Sequence, residues 1–150
     1  MPRSGERYSE IAIEFTAQPN MLVVVRQLVN CMAEHGGFSA NDAMQLELCV
    51  DEACSNSIRA ILEKEGPSPV TKVRVEFKLQ TTRLCISVHD SGNDFTHHFQ
   101  KAVAISDNCD MTKRRGYGLQ IIKTFMDEVH YVHEPEVGNR LHLTKYLPTD

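Results

Sequence analysis

The chain opens on an alternating segment. From Tyr8 to Phe15, the apolar residues Ile11, Ile13 and Phe15 share one side, the period of two that marks a half-buried strand. Pro19 sits at a helix start, Met21 to Ala33 is a mostly apolar run, and Gly36-Gly37 stops it. Ser39 followed by Asp42 is a capping-box pattern with Asp in place of Glu. It opens a long helix from about Asn41 to Lys64, which Gly66, Pro67 and Pro69 end. Val73, Val75, Phe77 and Leu79 alternate with polar residues, and Leu84, Ile86 and Val88 do so again after a short turn at Gln80 to Arg83. This is the signature of an antiparallel hairpin with one buried face.

From His89 to Arg115 the periodicity fails and polar residues dominate. So long an irregular stretch in a compact domain is usually functional or mobile. Gly116-Tyr117-Gly118 leads into a helix with Leu119, Ile122, Phe125 and Met126 on its inner face. Val129 to His133 and Arg140 to Leu147 read as a final hairpin turning near Gly138-Asn139. The order β-α-α-β-β-loop-α-β-β predicts an α+β fold: a two-layer sandwich whose mostly antiparallel sheet is covered by helices on one face. Residues 1–150 are expected to form one domain, with no internal repeat.

Charge and cysteine content narrow the picture. Sixteen Lys and Arg against 20 Asp and Glu give a net charge of −4, which argues against direct nucleic-acid or anionic-membrane binding as the main task. A local basic patch remains at Lys113, Arg114 and Arg115. The five cysteines are odd in number and form no C-x-x-C pair, so a disulfide framework is not expected and a reducing, cytoplasmic setting is. No run of about 18 apolar residues suggests a membrane span, and the N-terminus shows no apolar core of a signal peptide.

Three short motifs carry candidate chemistry. On the long helix, Glu52 and Asn56 are four apart and share a face. A carboxylate there can act as general base, and an Asn carbonyl is a hard oxygen ligand suited to Mg2+. Two solvated side chains opposite the buried Val50, Cys54, Ile58 and Ile61 would give the same pattern. After the second hairpin strand, Asp90-Ser91-Gly92 can project a carboxylate to accept a hydrogen bond from an amino group such as adenine's. It also reads as an ordinary turn. At the third, Arg114-Arg115-Gly116-Tyr117-Gly118-Leu119, paired glycines at a helix start admit a phosphate to free N–H groups, and arginines can clamp it. A tight loop before a core helix is the plain alternative, and the segment is neither a Walker A loop nor a Rossmann fingerprint.

In content and order these motifs resemble the N, G1 and G2 boxes of the GHKL (Bergerat-fold) ATPases and kinases. Arg114 to Leu119, with Phe125-Met126-Asp127-Glu128-Val129, is similar to the RsbW/SpoIIAB-type anti-sigma factor serine kinases, and the similarity runs from about Ile11 to Leu147. The resemblance implies that Glu52 is the catalytic base and that Asn56 holds Mg2+. It implies that Asp90 and Gly92 bind the adenine of ATP, that Gly116, Gly118 and Leu119 form the phosphate-binding helix start, and that Arg114 reaches the terminal phosphate. A segment of about Asp94 to Lys113 would be the lid over ATP. The implied activity is ATP-dependent phosphorylation of a serine on a STAS-type anti-sigma-factor antagonist. The implied partners are that antagonist, a sigma factor and a second copy of the chain in a homodimer.

Two positions depart from the family pattern. Asp94 stands where the second G1 glycine is usual, and Ala60 where the N box often carries His. They keep open a degenerate partner-binding module without kinase activity. A histidine-kinase catalytic domain is a third reading, although no dimerisation helix pair with a phospho-accepting His is visible. His97-His98, His130 and His133 lack zinc spacing and read as surface or packed histidines; Ser55 and Ser57 show no nucleophile arrangement.

Overall fold

A computed structural model describes residues 5, 7–94, 96 and 118–148. It contains strand β1 (Tyr8–Thr16), a 3-10 turn at Pro19–Met21, helices α1 (Leu22–Gly36) and α2 (Ala40–Glu65), and strands β2 (Lys72–Gln80) and β3 (Arg83–Asp90). Helix α3 (Gly118–Phe125) and strands β4 (Glu128–Glu134) and β5 (Gly138–Tyr146) follow. Arg114, Arg115, Gly116 and Tyr117, with most of the expected lid, lie outside the described residues.

The local signals act as the sequence suggests. Ser39 caps α2, its Oγ accepting the Asp42 N–H at 3.1 Å. Gly37 adopts φ 87° and closes α1, its N–H bonding Ala33 and Glu34 carbonyls. The five strands form one antiparallel sheet in the order β1-β2-β3-β5-β4. β5 therefore sits beside β3, and the hairpin β4–β5 is laid onto the first three strands by way of α3.

The helices α1, α2 and α3 cover one face. Period-two positions of the sheet, among them Val75, Phe77, Leu84, Ile86 and Leu143, meet Val29, Leu46, Val50, Cys54 and Ile61 of α1 and α2 in the core. α3 adds Leu119 and Ile122, and Met126 follows it into the core. Burial pushes the Cys49 and Cys54 thiols up to about 12, as befits packing residues rather than nucleophiles.

One expected boundary is corrected. The last hairpin turns at 135–137, and Gly138 and Asn139 belong to β5. Glu136 takes the left-handed conformation (φ 71°) and the Val137 N–H bonds the Glu134 carbonyl at 3.1 Å. A glutamate thus fills a turn position that usually selects glycine or asparagine.

Candidate functional site

The site lies along α2. Glu52, Asn56, Ser57 and Ala60 follow one another on the helix face turned to the end of β3 and the start of α3. From Glu52 to Ala60 is eight residues, about 12 Å along the axis, the length scale of a nucleoside triphosphate.

At one end stands Asp90, the last residue of β3 and a buried carboxylate. Its Oδ1 accepts the Gly92 N–H at 2.8 Å and the Asn139 Nδ2 at 2.8 Å. Its Oδ2 is buried without a hydrogen-bond partner among the described residues. Burial raises the Asp90 pKa above 3.8, while Ser57, Asn139 and the Gly92 N–H pull it the other way. A buried acceptor left over after its neighbours have been satisfied fits an incoming amino donor such as adenine's.

Close packing on Ala60 explains the identity of Gly92. A Cβ on Gly92 would lie 2.5 Å from the Ala60 carbonyl carbon and 2.6 Å from its Cβ, and the Asn93 N–H reaches the Ala60 carbonyl at 3.3 Å. The strand-end loop docks directly on α2, with Gly92 against Ala60. Asp94, the other departure, is exposed. It accepts hydrogen bonds from the Thr96 N–H at 2.8 Å and the Tyr131 hydroxyl at 3.1 Å, and these bonds lower its pKa.

At the other end, α3 meets Glu52. A Cβ on Gly118 would lie 2.5 Å from Glu52 Oε2, so the carboxylate rests against the first turn of the helix. Asn56 is half-buried one turn further along α2, and its Oδ1 accepts from Arg59 Nη1 at 3.3 Å. Leu119 is buried and serves packing. Of the eight expected site residues, Glu52, Asn56, Asp90, Gly92, Gly118 and Leu119 are placed around this face. Arg114 and Gly116 lie outside the described residues.

Asn139 completes the site without having been expected there. Its buried amide donates to Asp90 and to the Asn93 carbonyl (2.8 Å), and its Oδ1 meets the Tyr131 hydroxyl and His133 Nδ1 (2.9 Å). Every polar atom of the amide is used, which fixes which way it points. Ser57, also unassigned from sequence, is buried on α2 beside the same carboxyl. The only local signal was the Gly-Asn pair, which reads equally well as a turn.

An α+β sandwich with a strand-end carboxylate, a helix-borne carboxylate and a glycine helix start on one face defines a nucleotide-binding domain of the kinase-like ATPase class. The chain belongs to the histidine kinase-like ATPase domain family, whose profile matches residues 15–145. Membership implies ATP as the nucleotide. The serine-protein kinase RsbW of Bacillus thuringiensis (strain Al Hakam) is 26% identical over 146 residues, 95% of this chain and 88% of that protein. RsbW of Bacillus anthracis (strain A0248) is 25% identical over the same shares. A chain of the SiaB–SiaC complex from Pseudomonas aeruginosa shares the fold, with a TM-score of 0.65 at 11% identity, covering 91% of this chain and 89% of that one. No described helix is long and apolar enough to cross a membrane.

Asp90→Asn tests the acceptor. Oδ1 can still receive Gly92 and Asn139, but an amide NH2 then replaces Oδ2 and, if Asp90 is the adenine acceptor, opposes the adenine amino group donor to donor. ATP affinity is expected to fall on the order of 100-fold, about 3 kcal/mol, by calorimetric titration. Stability should respond differently. Because the carboxyl titrates above 3.8 in the folded state, Asp90 contributes a loss of stability to the unliganded wild type as pH rises from 3.8 through the raised value, against the opposite contributions of Glu76 and Asp94. Chemical denaturation of Asp90→Asn across that window should show this slope removed.

Proposed function

We infer that the chain is an ATP-dependent protein serine kinase that works as an anti-sigma switch. The observation that carries this reading is the contact of Glu52 with Gly118, at the far end of α2 from the unsatisfied Asp90 carboxyl. Adenine held at Asp90 and Gly92 directs the phosphates along α2 toward the α3 N-terminus, where free N–H groups and the helix dipole favour negative charge. Glu52 then stands beside the terminal phosphate. As the base it takes the proton of a substrate serine hydroxyl, whose oxygen bonds to the γ-phosphorus while the bond to ADP breaks.

Asn56 supplies a hard oxygen for Mg2+, with Glu52 one helical turn away. Mg2+ usually takes only one or two protein ligands besides phosphate and water, which suits so sparse a donor set. When bound, the ion neutralises charge on the transferring phosphates. Arg114 and Gly116 are assigned to the terminal phosphate and to the helix start, with residues from about Asp94 to Lys113 as the lid. The partners in this reading are a STAS-type anti-sigma-factor antagonist, which is phosphorylated, and a sigma factor, which is bound and silenced, with the kinase acting as a cytoplasmic homodimer. The relatives named as serine-protein kinases support the transfer to serine.

Two measurements test the reading. Mg-ATP at about 100 times its Kd should stabilise the protein by about 2.7 kcal/mol, raising the melting temperature by about 5–10 °C. A protein captured by the chain should then be labelled on serine from [γ-32P]ATP. A flat melt would leave a partner-binding module without nucleotide, and a shift without labelling would leave an ATP-binding module without transfer.

A further inference from the structure

The face of the sheet not covered by the described helices carries a cavity of about 180 Å3 at the end of β2, β3 and β5. Lys72, Arg74, His89 and Arg140 line it, together with Asp90 and Asn139 at the strand ends it shares with the nucleotide site. The strand register creates this arrangement. Arg74 is directly opposite His89, His89 is directly opposite Arg140, and Lys72 lies two residues from Arg74 on the same face. Asp90 and Asn139 alternate to the other face, where their side chains meet each other.

Glutamates flank the arginines without exhausting them. Arg74 Nε is bonded to Glu76 at 3.0 Å and its Nη1 lies 3.5 Å from Glu14, while Arg140 Nη2 lies 3.4 Å from Glu134. Each guanidinium has five N–H donors, so each keeps donors for the cavity. His89 Nε2 is buried with no hydrogen-bond partner among the described residues and stands 3.9 Å from Glu76 Oε2, too far to bond. The fields of Arg140 and Arg74 already reach the imidazole and, after desolvation, help to lower its pKa. Three cations around one small hollow form a receptor for an acceptor-rich anion. The volume is below the roughly 300–1,000 Å3 of sites that take drug-sized ligands. It suits a compact oxyanion and is too small for a nucleotide.

We propose that this cavity binds a small phosphate-class oxyanion, at a site separate from the nucleotide pocket and on the opposite side of the Asp90 strand end. Inorganic phosphate is the probe, titrated into the full chain at constant ionic strength set with chloride, because unspecific screening varies with salt. The His89 ring and Arg140 amide resonances are followed by NMR, with and without saturating Mg-ATP. The expected result is a saturable shift at both residues, retained with Mg-ATP bound. In the Lys72→Gln/Arg140→Gln variant it should be weakened at least about tenfold. Shifts that never saturate, shifts equal in the variant, or shifts abolished by Mg-ATP would each overturn the assignment. Both substitutions are on the open face, and the wild-type titration with its mapped residues decides the question even if the variant folds poorly.

Discussion

Glu52→Ala should reduce phosphoryl transfer by about 10²–10⁴-fold while leaving ATP affinity within about threefold. The asymmetry follows from where the carboxylate lies. It touches the first turn of α3 and is remote from Asp90, so adenine recognition does not need it. Glu52→Gln should be nearly as slow, since it retains shape and loses basicity. Single-turnover transfer to the partner serine gives the rate, and calorimetry gives the affinity. Full-rate transfer by Glu52→Ala would exclude it as the base. Gly118→Ala makes a useful companion. The added methyl would displace the tip of a flexible side chain rather than backbone, so stability should change by less than about 1 kcal/mol while transfer falls. Because both changes act on the same carboxylate, the double variant should be little slower than Glu52→Ala alone.

Gly138→Ala should be the most destabilising single methyl addition in the described structure, costing on the order of 3–5 kcal/mol. Two effects combine. Gly138 has φ 122°, a conformation that L side chains rarely adopt. Its Cβ would overlap the Asp90 carbonyl oxygen and approach Ser91 Cα at 2.8 Å and the Asp90 carbonyl carbon at 2.9 Å, all of them backbone. Gly37 and Gly66 also have positive φ, at 87° and 72°, but nothing lies within 4 Å of their added Cβ. Alanine should cost about 1 kcal/mol at Gly37, and about 1–3 kcal/mol at Gly66, whose ψ of −175° puts it in a region essentially confined to glycine. Chemical denaturation of the three variants separates strain alone from strain with overlap. Gly138→Ala should also weaken ATP binding, because it moves the backbone that carries both Asp90 and Asn139.

The elements were legible because each of them is signalled locally. Alternation from Val73 to Val88, the Ser39 cap and the Gly36-Gly37 stop depend only on neighbours in the chain, and they appear where expected. Asp90, Glu52 and Gly118 were likewise marked by short motifs, and the structure gathers them on one side of α2. What could not be read was pairing at a distance. The insertion of β5 between β3 and β4 has no local signature, so Asn139 was assigned to a turn although it is the donor that holds Asp90. The turn itself was misplaced because Glu136 takes a left-handed conformation that a search for glycine overlooks. Ala60 stood out only as a departure from the family pattern, and the structure places it where Gly92 docks on the helix.

The hydrogen bond between Asp90 and Asn139 joins residues 49 positions apart. On the ribosome, α2, β2 and β3 are all made before Asn139 is, and until β5 emerges the carboxyl lacks the amide that orients it. Contacts of such sequence separation form late, after local hairpins and helices. In the proposed reading, competence to hold ATP therefore waits for β5, and a nascent chain ending before 138 would expose the Asp90 edge of β3 without the amide that orients it.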